Sequence, residues 1–231
     1  MTLQKNDFIE VNFTGKTTEG IVFDSNIADD LKKTNLQDIE AKPFVYSLGQ
    51  GMFLQGVDDF LIGKEPGTYE VLLEAEKAFG LRDPSLIHIF PLKSFYDHKI
   101  NPVQGAVFNF DGRLGKVLSN SGGRVRIDFN GPLAGKDVIY NINVLRKVDD
   151  KNEQIKAFTQ FLFKRDFDFQ IKEDKIIFNI EKEFGNIIKL FEDKFKEIFN
   201  LGIEVNIVNT EKNVEKIEEA VEDDLKEDKQ S

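Results

Sequence analysis

The chain of 231 residues has no cysteine and no tryptophan, and only two histidines and two methionines. Without thiols there is no disulfide, no thiolate nucleophile and no cysteine-based zinc site. His88 and His98 stand apart from any other imidazole, so no metal site and no Ser-His-Asp or Cys-His set can be assembled from them. No metal or other cofactor is expected. The opening MTLQKNDFIEV has no apolar signal core, and no apolar run approaches the ~20 residues that a membrane helix needs. A soluble, cytoplasmic chain is the expectation. Positive charge is also short: 31 basic against 41 acidic residues leave a formal net charge of −10. A nucleic-acid backbone is therefore an unlikely partner, and neither a nucleic-acid nor a membrane partner is expected.

What is abundant is apolar and aromatic: 40% of residues are hydrophobic and 22 are phenylalanine. The length has room for one large domain or two to three small ones. The stretch from Tyr46 to Gly63, YSLGQGMFLQGVDDFLIG, organises the first part. It begins extended, turns at Gly49, Gly51 and Gly56, and leaves room for a short helix over 57–61 before Gly63 ends it. Phe53 and Leu54 are thus held between glycine turns and a helix start. They are either core packing beside a turn or an apolar wall with free backbone N–H groups.

Around this stretch the alternation of apolar residues predicts strands over 7–13, 21–23, 43–48, 69–73 and 138–144. Thr14-Gly15 to Glu19-Gly20 reads as a turn region. Asp24-Ser25-Asn26 can cap a helix, and 27–36 reads as a short helical or irregular stretch. Residues 86–131 read as a small all-β module that leaves the first domain and returns to it. Beyond 151 the pattern is α-β-β-α-β, with one long amphipathic helix from Phe184 to Phe199. The segment from Glu211 to Ser231 holds nine acidic and four basic residues and reads as a solvated helix or a disordered tail.

Several motifs, in order, resemble the FKBP-type peptidyl-prolyl cis-trans isomerases. They are Phe13-Thr14-Gly15 with Gly20, Phe23, Asp24 and Ser25; Lys42-Pro43-Phe44, Tyr46, Leu48-Gly49, Phe53-Leu54-x-Gly56 and Asp58; Ala78-Phe79-Gly80; and Asp137-Val138-x-Tyr140-Asn141-Ile142. The extra stretch between flap and last strand resembles the insert-in-flap, SlyD-like subgroup. The resemblance implies an α+β fold: an antiparallel half-barrel sheet wrapping a short helix (1–85 and 132–151), the all-β insert (86–131) and a C-terminal α-β-β-α-β domain (152–231).

It also implies a proline isomerase acting on unfolded or partly folded polypeptides, with a nearly silent pocket and a holding role as the alternative. By this resemblance the catalytic pocket comprises Phe23, Asp24, Phe53, Leu54, Phe79 and Tyr140, walled further by Phe13, Phe44 and Val57. The Leu54 N–H would anchor a carbonyl beside the proline, and Asp24 would be the polar group, unless it is a helix or turn cap. Phe13 and Phe79 stand where the family often has Tyr, and Val57 where larger members carry Trp or Leu. These departures imply weaker binding of macrolide inhibitors. The insert would hold clients through Ile87, Ile89, Phe90, Leu92, Phe95, Tyr96, Ile100 and Val103, some of which must close its own core. The His-rich metal-binding tail of the subgroup is absent. The C-terminal domain carries no sharp motif and is open to a homodimer role or added client surface.

Overall fold

In the computed structural model, residues 1–32, 34 and 40–208 are described. The acidic segment from Glu211, and residues 33, 35 and 36 of the stretch read over 27–36, lie outside the described residues. Strand β1 (Phe8–Thr17) is the spine of the first sheet. It pairs on one edge with β2 (Val22–Ser25) and β3 (Phe44–Ser47), and on the other with β9 (Val138–Lys147), all antiparallel. β4 (Thr68–Leu73) adds to the far side of β9. Ile9, Val11, Tyr46, Val71, Tyr140 and Ile142 are buried there, as is Val57 on the short helix α2 (Gln55–Leu61). A one-turn helix α1 (Ala28–Leu31) follows β2.

The turn expected at Thr14-Gly15 is instead strand. β9 pairs with β1 all the way to Thr17, opposite Val138, and this continuous ladder holds the segment extended until the turn before Ile21. Asn26, read as part of a helix cap, has a different task. Its buried side chain accepts from the Phe13 N–H (2.7 Å) and donates to the carbonyls of Val11 and Lys42 (3.0 Å each), so it ties β1 to the segment entering β3.

Between β4 and β9 the chain makes a second, four-stranded sheet in the order β5-β8-β7-β6: β5 (Ile87–Pro91), β6 (Val107–Phe110), β7 (Arg113–Ser121) and β8 (Arg124–Asp128). The insert is not all-β. Helix α3 (Leu92–Asp97) follows β5 and places Leu92 and Phe95, three residues apart, against the core. Strand β7 was not read from the sequence: RLGKVLSNS has too few apolar residues to alternate visibly.

The coordinates divide into two compact units, 1–147 and 148–231. The second begins at Val148, earlier than the sequence suggested, because Val148 is itself buried and its carbonyl accepts from Gln154 Nε2 (2.7 Å). It contains α4 (Lys151–Phe163), the hairpin β10 (Asp168–Lys172) and β11 (Lys175–Ile180), α5 (Lys182–Lys189), α6 (Glu192–Phe199) and β12 (Gly202–Ile207), which runs parallel to β11. The long helix read over 184–199 is two helices. The Leu190 and Phe191 N–H groups bond three residues back, to Ile187 and Ile188, and this tightened turn breaks the helix. Periodicity alone does not register the break, since Ile188, Phe195 and Phe199 all reach one core with Phe158 and Phe178.

Candidate active site

Three neighbouring strands build the polar end of the site. Gly15 on β1 lies opposite Asp24 on β2 and opposite Tyr140 on β9. All three therefore share one face of the sheet. A Cβ at Gly15 would sit 2.9 Å from the Tyr140 ring and 3.0 Å from the Phe23 ring. With hydrogen there instead, the tyrosine lies across β1 and brings its hydroxyl towards the Asp24 carboxylate, which also faces the Ser25 N–H. Burial raises the pKa of the Asp24 carboxyl, and these two donors partly offset the shift. Burial, then the charge of Asp24, pushes the Tyr140 phenol up.

The apolar part is one connected set of rings. Phe13 meets Phe53 edge-on at 4.9 Å between centroids, Phe53 meets Tyr140 at 5.4 Å, and Tyr140 meets Phe23 at 5.8 Å. Phe79 closes on Phe23 at 5.4 Å, and Phe44 lies 6.3 Å from Phe53. Edge-to-face contacts suit the ring quadrupoles and fix the angles between the walls. Val57 and Tyr140 are fully buried at the base, Phe23, Phe44, Phe53 and Leu54 are half-buried, and Phe79 is 39% exposed at the rim. Leu54 stands just before α2. Its N–H meets no acceptor among the described residues, as the opening amide of a helix need not.

The rings expected around the pocket, Phe13, Phe23, Phe44, Phe53, Phe79 and Tyr140, form one contact set with Asp24 beside Tyr140, while Leu54 follows Phe53 at the start of α2 and Val57 is buried on that helix. Asp24 is not a helix cap, since α1 follows Ile27 and has no side-chain cap. Two residues with a part in the site were missed. Tyr46 stacks on Phe44 (5.5 Å) and Phe53 (5.3 Å), and its place two residues after Phe44 on one strand face was the available signal. Asp58, noted only as part of a motif, lies buried under the loop and accepts from the Gly49 N–H (2.9 Å). It holds the turn that Gly49 makes at φ 74°, and that turn sets the position of Phe53. Burial pushes the Asp58 carboxyl up to about 6, with the Gly49 N–H pulling the other way.

In the insert the expected client residues separate. Phe95 is buried, and Phe90, Leu92 and Ile100 pack against Val117, Val125 and Ile127. Those four belong to the insert's own core, the part that some of the expected set had to play. Ile87 is half-buried, while Ile89, Tyr96 and Val103 are exposed. Among the described residues no cluster of His, Cys, Asp and Glu is placed to hold a metal ion, and no helix is long and apolar enough to cross a membrane.

A family model described as FKBP-type peptidyl-prolyl cis-trans isomerase matches residues 1–93, and one described as FKBP26, IF domain, matches residues 88–133. A short-type peptidyl-prolyl cis-trans isomerase of Methanocaldococcus jannaschii is 30% identical over 145 residues, which cover 62% of this chain and 92% of that protein. The chain belongs to the FKBP-type peptidyl-prolyl cis-trans isomerases. The FKBP-type 16 kDa peptidyl-prolyl cis-trans isomerase of Escherichia coli K12 is also 30% identical, over 150 residues covering 62% of this chain and 93% of its own length. A human relative, peptidyl-prolyl cis-trans isomerase FKBP2, matches over 80 residues, 34% of this chain and 49% of that protein. In this FKBP-type isomerase the hydroxyl that faces Asp24 comes from Tyr140 on β9.

Proposed function

We propose that this isomerase acts on X-Pro bonds of unfolded polypeptides, with the insert-in-flap module over 86–131 capturing the client. The observation that carries the reading is the combination of a set of contacting rings, a Leu54 N–H without an acceptor among the described residues and a single half-buried carboxylate, Asp24. The X-Pro bond turns over a barrier of about 20 kcal/mol because rotation breaks amide resonance. The twisted amide has lost its charge separation and is poorly hydrated. A dry ring-lined pocket therefore favours it over the planar amide, without acid, base or nucleophile. The Leu54 N–H holds a carbonyl flanking the proline, which fixes one side of the rotating bond. Asp24, kept in place by Tyr140, is the polar group beside the rotating carbonyl.

The insert supports capture because exposed apolar side chains remain after its core is closed. The C-terminal unit is proposed as a dimerisation element; an unchanged monomeric mass by light scattering in the full chain and in a chain ending at 150 rejects that role. The main test replaces 86–131 by a short glycine-containing flap. Turnover of short proline peptides, in an assay without protease, should survive. Catalysis of refolding in a protein limited by proline isomerisation should fall sharply, since a second site raises the client's effective concentration to the order of millimolar. No activity on peptides in the full chain rejects the enzyme reading in favour of a holding role. Undiminished refolding by the trimmed chain rejects capture by the insert.

A further inference from the structure

The net charge of the chain conceals an asymmetry. Residues 86–131 hold six basic and three acidic side chains, net +3, whereas the rest of the chain holds 25 basic and 38 acidic, net −13. The positive charge is not spread evenly over the insert. One face of the β5-β8-β7-β6 sheet covers the core of Phe95, Val117, Val125 and Ile127. The opposite face is bare, and the register sets aliphatic and cationic side chains side by side on it. Ile89 lies opposite Arg126 and Val107 opposite Lys116. Arg124 shares the face, two residues from Arg126, and Leu114 shares it two residues from Lys116.

Ile89, Val107 and Leu114 are 59%, 55% and 64% exposed. Lys116, Arg124 and Arg126 are exposed and enter no ion pair among the described residues. Asp128, in register with Lys116, is neutralised by Arg82. At its edge the face runs into a cleft of about 440 Å³, where Val107, Leu114 and Lys116 confront Pro132, Ala134 and Lys136 of the returning chain.

We propose that this face docks extended polypeptide segments rich in aliphatic and acidic side chains. The inference rests on the client-capture reading above and specifies the class of client. Its warrant is charge complementarity. An acidic segment is repelled by the rest of the chain, and the insert is the region whose charge attracts it. The arginine and lysine stems extend the apolar surface while their heads stay solvated, so the face takes aliphatic side chains between cations that pair with carboxylates. The cleft accepts an aliphatic side chain with Lys116 and Lys136 at its mouth. This surface lies away from the core residues Phe90, Leu92, Phe95 and Ile100, and it makes Val107 and Leu114 the principal apolar contacts.

The test uses the full chain and two proline-free, unstructured peptides of identical aliphatic content, one with Glu and one with Lys at the remaining positions. The Glu peptide should bind about tenfold more tightly at low ionic strength. The preference should fade at about 0.5 M salt, where screening is short-ranged. In the double variant Arg124→Glu/Arg126→Glu the preference should reverse, while turnover of short proline peptides, which reports an intact fold and pocket, stays unchanged. Equal binding of the two peptides, or a preference that survives the double variant, overturns the inference. If both peptides bind equally and are lost when 86–131 is replaced, the charge inference falls and client capture stands. If replacing 86–131 changes the binding of neither, both fall.

Discussion

Phe13, Phe23, Phe44 and Phe53 in the first sheet, and Phe90, Phe95, Phe108 and Phe110 in the insert, are two aromatic clusters of the same residue type. Their rings touch at similar distances: Phe13–Phe53 at 4.9 Å in the first, Phe90–Phe110 at 5.6 Å and Phe110–Phe129 at 5.3 Å in the second. The first gathers around the Asp24 carboxylate, and the second packs on the apolar core of Val117, Val125 and Ile127. Each depends on a strand glycine. At Gly15 the missing Cβ lets Tyr140 cross to a carboxylate, so the rings surround a polar group. At Gly115 a Cβ would lie 2.5 Å from Ile127 and 2.9 Å from Phe129, so the missing side chain lets Phe110 and Phe129 close over the sheet. Aromatic content alone thus distinguishes neither a site from a core nor a pocket from a plug.

The sharpest way to break the comparison is to truncate one ring in each cluster. Phe95→Ala removes a buried ring and should cost about 3–5 kcal/mol of insert stability. Short-peptide turnover should remain. Phe53→Ala removes a half-buried ring and should cost less, about 2–3 kcal/mol, yet abolish most of that turnover. Urea unfolding and a peptide assay on both variants check this; equal losses of activity would show that the clusters are not separable.

The paired glycine substitutions follow. Gly15→Ala and Gly115→Ala should each cost about 1–3 kcal/mol through overpacking. Gly15→Ala should also reduce peptide turnover by displacing Tyr140 from Asp24, whereas Gly115→Ala should spare it and impair refolding of a protein substrate. Preserved turnover in Gly15→Ala would remove the Tyr140–Asp24 contact from the mechanism.

The buried carboxylate of Asp58 gives a pH-dependent effect on stability. Asp58 titrates at about 6 in the folded chain against 3.8 as the ordinary value, so the folded state binds its proton more tightly than the unfolded state does. Its contribution to stability is therefore fully present below pH ~4 and is lost as pH rises through about 6. Asp58→Asn keeps an acceptor for the Gly49 N–H and removes the charge. It should raise stability at pH 8 by on the order of 1–3 kcal/mol and flatten the slope between pH 4 and 6. Denaturant titrations at pH 4 and pH 8 are the check, and an unchanged slope would place the titration elsewhere.

The smallest effect on stability belongs to Asp24→Ala, which removes a half-buried carboxylate and little volume. The midpoint of unfolding should move by less than about 1 kcal/mol, while turnover falls. Full turnover in this variant would leave Asp24 a purely structural role.

The sequence by itself determined the family and most of the pocket. Phe13-Thr14-Gly15, Phe23-Asp24, Phe53-Leu54 and Asp137-Val138-x-Tyr140 lie in short motifs whose spacing reflects local strand and turn geometry. The alternation around them was enough to place the main strands. Which rings gather around a carboxylate was decided by tertiary structure. Asp24 meets Tyr140 across more than a hundred residues of chain, and only the register of β2, β1 and β9 on either side of Gly15 puts them on one face. The packing of Phe90, Phe95 and Ile100 into the insert's core was likewise illegible, because α3 and the weakly apolar strand β7 determine which face of the insert is its core. The break between α5 and α6 was missed for the same reason. Local periodicity records that side chains share a face, but which face is covered depends on long-range pairing that no window of sequence contains.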